Sequence, residues 1–136
     1  MSTEILALLE LGANAQQVIE CLEDSGHSVI ACDKFVKAIA ILKKNRNIGL
    51  VISDVHLENG GTVFDFLKWV KSEAPIQDIP FVLFSLKPSA LAKYLEDGVK
   101  TAARLLGAAM YITMDKFDAI EFRQKIDYVL EKSGPK

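Results

Sequence analysis

The sequence predicts a single α/β domain in which a doubly wound sheet of five parallel strands carries helices on both faces. Three observations predict it. Short apolar runs and amphipathic segments alternate five times along 136 residues, and right-handed crossovers leave few other arrangements for such a pattern. Leu50-Val51-Ile52 and Phe81-Val82-Leu83-Phe84 are apolar throughout, as strands buried on both faces are. Half the residues are hydrophobic and a quarter charged, the composition of one globular domain large enough to bury a proper core.

The elements follow in order. Ile5-Leu6-Ala7-Leu8-Leu9 is a first strand, although Leu and Ala also suit a helix. Gly12 and Asn14 break it. Val18, Ile19, Cys21 and Leu22 recur at helical spacing, so a helix runs from Ala13 to Asp24, with Gly26 suited to its left-handed cap. Ser28-Val29-Ile30-Ala31 is a second strand. Asp33 is positioned as N-cap of a second helix whose inner stripe is Phe35, Ala38, Ile39 and Leu42. Lys43, Lys44 and Arg46 close it, where positive charge suits the helix dipole. The third strand occupies Leu50–Ile52. Thr62 caps a third helix, with Phe64, Leu67, Trp69 and Val70 at helical spacing, and Pro75 bars its continuation. Phe81–Phe84 is the fourth strand, ending at Ser85. Lys87-Pro88-Ser89 opens a fourth helix that Leu91, Tyr94 and Leu95 continue. Gly98 either ends it or is passed on the way to Gly107. Met110–Met114 is the fifth strand, and a last helix carries Phe117, Ile120, Phe122, Ile126, Val129 and Leu130. The domain is expected over residues 1–132, with 133–136 as a disordered tail.

Composition excludes several functions. A formal charge of −2 offers no basic field for nucleic acid. Phe64, Phe66 and Trp69 read as packing residues and not as a stacking platform. Cys21 and Cys32 have no metal-ligand spacing and read as small buried hydrophobes. His27 reads as solvated surface. Glu10-Leu11-Gly12-Ala13-Asn14 has a single glycine, which argues against a dinucleotide site. No signal peptide is evident and no apolar run reaches membrane-spanning length, so a cytoplasmic protein without membrane partners is expected.

Five strands at this length fit the flavodoxin-like order 2-1-3-4-5, whose crevice lies beside the first and third strands at their carboxyl ends. Asp54 ends the third strand and would stand in that crevice, followed by a polar loop with Gly60 and Gly61. It reads equally as a working carboxylate and as a cap for the loop or the next helix.

The arrangement resembles the CheY-like receiver domain of two-component response regulators over nearly the whole chain. In that family an aspartate ending the third strand accepts a phosphoryl group from a histidine kinase. The resemblance implies Asp54 as phosphoacceptor, Ser85 as the hydroxyl that contacts the phosphoryl group, and Tyr111 as the switch aromatic. It implies Mg²⁺ held by Glu10, Asp54 and the backbone carbonyl of His56. A hard cation is needed because a carboxylate must attack a dianionic group, and an ammonium and a hydroxyl then hold the phosphoryl oxygens.

The match departs from the family at Leu9, which replaces one of the acidic pair, and at Met114, which replaces the lysine. Glu58 replaces a proline. Lys116, two residues beyond Met114, would point the same way if the strand continued but sit about 6.5 Å further along it. The implied activity is Mg²⁺-dependent self-phosphorylation and dephosphorylation at Asp54, in partnership with a histidine kinase or phosphotransfer protein. The longer segment from Ser85 to Gly107 belongs to the face from Pro88 to Leu130, where the family docks downstream proteins or forms homodimers. It reads either as an altered partner surface or as a longer packed helix. The alternative is a pseudo-receiver that binds a partner without chemistry. Asp54-Val55-His56-Leu57-Glu58-Asn59-Gly60 also approaches the Asp-x-His-x-x-Gly motif of cobalamin-binding domains, with the glycine one residue late; this is the remote alternative.

Overall fold

The alternation predicted from the sequence is the observed architecture. A computed structural model describes residues 3–10, 12–55, 62–86 and 90–133. Its elements are β1 (Glu4–Leu8), α1 (Ala13–Asp24), β2 (Ser28–Cys32), α2 (Phe35–Lys44), β3 (Ile48–Asp54), α3 (Val63–Ser72), β4 (Phe81–Leu86), α4 (Ala90–Leu105), β5 (Met110–Met114) and α5 (Ala119–Ser133). The strands form one parallel sheet in the order β2-β1-β3-β4-β5.

Strand alternation sorts the core into two layers. Leu6, Leu8, Val51, Phe81 and Leu83 face α2, α3 and α4, meeting Phe35, Leu42, Phe66, Leu67 and Ala103. Ile5, Ala7, Leu50, Ile52, Val82, Phe84 and Ile112 face α1 and α5, meeting Val18, Leu22, Phe122 and Ile126. Cys21 and Cys32 are buried free thiols within these layers. Phe66 is buried, with Trp69 stacked on its ring at 6.3 Å, so these aromatics are packing residues.

Local chemistry explains most of the boundaries. Thr62 and Asp65 form a reciprocal capping box at the start of α3, each side chain accepting the other's backbone N–H at 3.3 Å. Lys43 and Lys44 lie in the last turn of α2. The chain leaves α4 through Gly107 at φ 102°, a left-handed conformation that favours glycine.

Two expectations, at Asp33 and His27, are corrected, and the alternative left open at Gly98 is resolved. Asp33 does not cap α2: Lys34 holds the N-cap position in extended conformation and no side chain bonds the helix end. The helix continues through Gly98 without interruption, because a single glycine costs only about 1 kcal/mol in a helix interior. α5 reaches Ser133, one residue into the expected tail. His27 is not solvated surface. It is 7% exposed, and the Thr3 N–H donates to its Nδ1 at 3.0 Å. The chain entering β1 runs over the turn before β2, with Ser28 N–H donating to the Thr3 carbonyl at 3.1 Å, and this covers the ring. Burial lowers the pKa of His27 below its ordinary value of 6.5, against an opposing pull from Asp127.

Candidate functional site

Asp54 is the last residue of β3 and pairs with Phe84 of β4. By strand alternation its side chain shares the α1/α5 side of the sheet with Leu50 and Ile52. It opens into a pocket of about 310 Å³ between the ends of β1, β3 and β4 and the first turn of α1. Glu10 and Asp54 are the carboxylates lining it, Asn14 adds an amide, and Leu9, Val18, Phe84 and Leu86 supply apolar walls. The chain turns from β1 into α1 through Gly12 at φ 149°, where a side chain would be strained. The fold thus brings Glu10 and Asp54 together at the carboxyl edge of the sheet, where open parallel sheets place their chemistry.

Ser85 and Tyr111 approach from the other side of the sheet. Ser85 is 1% exposed, and its hydroxyl lies near the phenol of Tyr111 on the neighbouring strand. Burial raises the Tyr111 phenol pKa above 10. The charges of Glu96 and then Asp54 push it the same way, and the nearby Ser85 hydroxyl pulls it down. Lys100 of α4 lies over the Tyr111 ring, its Nζ 5.6 Å from the centroid, and pairs with Glu96 at 3.6 Å. Glu96 and Lys100 are one helical turn apart, an i,i+4 signal visible in the sequence. Their relation to Tyr111 is a product of the tertiary fold alone.

The departures have structural roles. Leu9 is 3% exposed, and its N–H donates to the Cys32 carbonyl at 3.0 Å. Met114 is 6% exposed, lies in the α1/α5 core layer, and its Sδ accepts the Asp118 N–H at 3.5 Å, tying the end of β5 to the start of α5. Lys116 is exposed beyond the end of β5 and is not among the residues that line the Asp54 pocket. Asp115 beside it pairs with Lys93 of α4 at 2.8 Å. His56 and Glu58 lie outside the described residues.

Glu10 and Asp54 are donors of the kind that hold magnesium. Among the described residues no group of three or more His, Cys, Asp or Glu side chains converges on one point. Glu10 and Asp54 nevertheless share one pocket wall. Magnesium keeps several waters and is commonly held by one or two carboxylates.

Comparison with known proteins accords with this geometry. No protein-family model matches the chain. Among solved structures, the chemotaxis response regulator CheY4 of Vibrio cholerae superposes with a TM-score of 0.78 at 22% identity, covering 96% of this chain and all of that one. A response regulator of Chloroflexus aurantiacus gives 0.81 at 18% identity, covering 96% and 99% of the two chains. The signal receiver domain of a histidine kinase from Syntrophus aciditrophicus gives 0.78 at 20%, covering 98% and 94%. These likenesses define a CheY-like receiver fold. The two-component response regulator ORR3 of Oryza sativa (subspecies indica) is 30% identical over 98 residues, 71% of this chain and 74% of its own length. The chain belongs to the two-component response regulators and is a receiver domain.

Proposed function

We propose that this receiver accepts a phosphoryl group on Asp54 from a histidine kinase or phosphotransfer protein, within an incomplete active site. The observation that carries the reading is the junction at Asp54. It shares a pocket with Glu10 at the carboxyl end of β3, and the hydroxyl of Ser85 lies buried near the end of the neighbouring strand β4. An Asp54 carboxylate oxygen attacks the phosphorus of a phosphohistidine; the P–O bond forms, the P–N bond breaks, and the imidazole leaves with a proton. Glu10 and Asp54, with the carbonyl of His56, would hold Mg²⁺, which neutralises charge on the incoming group. Ser85 donates to a phosphoryl oxygen, and the neighbouring Tyr111 reports the change. Lys116 is the nearest substitute for the family's lysine. With Leu9 and Met114 where the family carries charge, Mg²⁺ binds weakly and the modified state forms slowly.

The setting is cytoplasmic; among the described residues no helix is long and apolar enough to cross a membrane. A second reading, a pseudo-receiver that docks its partner without chemistry, is favoured by the burial of Leu9 and Met114 in the core. Beryllofluoride with Mg²⁺ separates the two. The phosphoacceptor reading expects saturable perturbation of the Tyr111 ring resonances that disappears in Asp54→Ala. An unchanged Tyr111 would leave the pseudo-receiver reading.

A further inference from the structure

At the amino ends of the strands, away from Asp54, the chain entering β1 lies over a buried imidazole. His27 is 7% exposed, and its Nδ1 accepts the Thr3 N–H at 3.0 Å. A neutral ring that accepts at Nδ1 carries its proton on Nε2. Nε2 is buried and, among the described residues, has no hydrogen-bond partner. Thr3 has further fastenings at the same place. Its carbonyl accepts the Ser28 N–H at 3.1 Å, and its methyl packs on Gly49, where an added Cβ would lie 2.7 Å from it. Glu4 accepts from the Asn45 side-chain amide. The register then shifts: Glu4 pairs with Ile48 and Ile5 with Leu50, so Gly49 is skipped between β1 and β3. A shift of this kind interrupts the ladder locally. Beyond it Ile5 is fully buried. Thr3 and Glu4 thus form a short unit set off from the core of β1, and one of its fastenings is a titratable ring.

We infer that His27 is an acid-operated latch: protonation of Nδ1 releases Thr3 and Glu4 from the sheet while β1 from Ile5 onward stays paired. The incoming proton goes to Nδ1 because Nε2 already carries one. Nδ1 then becomes a donor facing the Thr3 N–H, which is also a donor, and the bond is lost. The cationic ring has no acceptor at Nε2 either, and a buried charge without partners is strongly disfavoured. Turning out two residues relieves both conflicts by letting water reach the ring. The groups around the ring set the threshold. Burial is the largest influence and favours the neutral form; Asp127 of α5 pulls toward protonation, and the chain's terminal ammonium and Arg123 of α5 oppose it. The latched ring therefore takes a proton less readily than a solvated one. The latch is closed above the ordinary histidine pKa of 6.5 and opens as pH falls below it. The device is independent of Asp54 chemistry.

The test is a nuclear magnetic resonance titration of the whole ¹⁵N-labelled chain from about pH 7.5 to about pH 4.5, following the His27 ring protons, the backbone amides and their heteronuclear Overhauser effects. The Thr3 and Ser28 amides should move with the same midpoint as the His27 ring, below 6.5. The Overhauser effects of Thr3 and Glu4 should fall to those of a mobile chain. The amides of Leu6, Val51 and Val82 should hold their positions through that midpoint. H27N sets an amide oxygen in the place of Nδ1 without a group that titrates, and its Thr3 and Ser28 amides should keep their neutral-pH positions over the whole range. Should H27N melt early, the wild-type comparison of Thr3 with the core amides decides alone. Thr3 and Ser28 amides that stay put while the ring titrates, core amides that move at the same midpoint, or a Thr3 titration retained in H27N would each overturn the latch. So would a ring that stays neutral until the whole chain unfolds.

Discussion

Replacing Met114 offers a test in which packing and charge predict different orders of stability. Met114 is 6% exposed in the layer that includes Phe84 and Phe122. Those two rings brace each other edge-on at 5.3 Å and cannot easily close over a void. Met114→Ala should therefore cost about 3 kcal/mol, within the usual range for buried methionine truncation. With a urea slope of about 1.5 kcal/mol/M for a domain of this size, the midpoint should fall by roughly 2 M. Met114→Lys keeps the volume and an apolar stem. Met114 shares a sheet face with Asp54, two strands away and two residues further along, about 12 Å between the backbones. A lysine there can lay its stem along the core and bring the ammonium to the Asp54 pocket, so its cost should be about 1–1.5 kcal/mol. The assay is urea unfolding of M114A, M114K and M114K/D54A beside wild type and D54A. M114K should unfold at clearly higher urea than M114A, and the cycle with D54A should give coupling of at least about 0.5 kcal/mol. An M114K midpoint at or below that of M114A, or zero coupling to Asp54, would refute the placement of Met114 on the family's lysine position.

Three further outcomes follow from single residues. Thr62→Ala removes one arm of the α3 capping box and should cost about 1 kcal/mol in urea unfolding. Ser85→Ala removes the hydroxyl that favours the Tyr111 phenolate. In a Y94F/Y128F background, ultraviolet titration should therefore show Tyr111 ionising at higher pH than with Ser85 present. His27 has a folded pKa depressed by burial, so the neutral ring is the stable folded form. Its stability is fully present above the unfolded pKa, and declines as pH falls from about 6.5 toward the folded pKa, because the unfolded chain takes the proton first. Urea midpoints measured from pH 7.5 down to 5 should show this slope in the wild type and a flatter one in His27→Ala.

The sequence was most informative where a signal is local. The α1 range, the Thr62 cap and β5 all follow from short-range spacing and side-chain chemistry, and they agree with the structure. The alternation of strand and helix was enough for the sheet order, since crossover handedness removes most alternatives. Errors arose where tertiary contact overrides local preference. His27 has the polar neighbours of a surface turn, yet the Thr3 backbone covers it. Asp33 has the right chemistry for a cap but does not occupy the N-cap position. At the site, the sequence places Asp54 and Ser85 near the carboxyl ends of β3 and β4, and Tyr111 near the start of β5. The clamp on Tyr111 was not legible, because it depends on α4 passing Gly98 and bringing Lys100 over β5. Tyr94 and Leu95 continue the α4 pattern in sequence and are 84% and 50% exposed; helical spacing alone does not say which stripe meets the sheet.

Phosphoryl transfer to Asp54 is tested most directly by intact mass. The chain is incubated with Mg²⁺ and a small phosphodonor such as acetyl phosphate, and the adduct is located by peptide mapping after reduction of the acyl phosphate with borohydride. A single phosphoryl adduct at Asp54 is expected, absent without Mg²⁺ and absent in Asp54→Ala. An unmodified wild-type chain, or an adduct that survives Asp54→Ala, would contradict Asp54 as the acceptor.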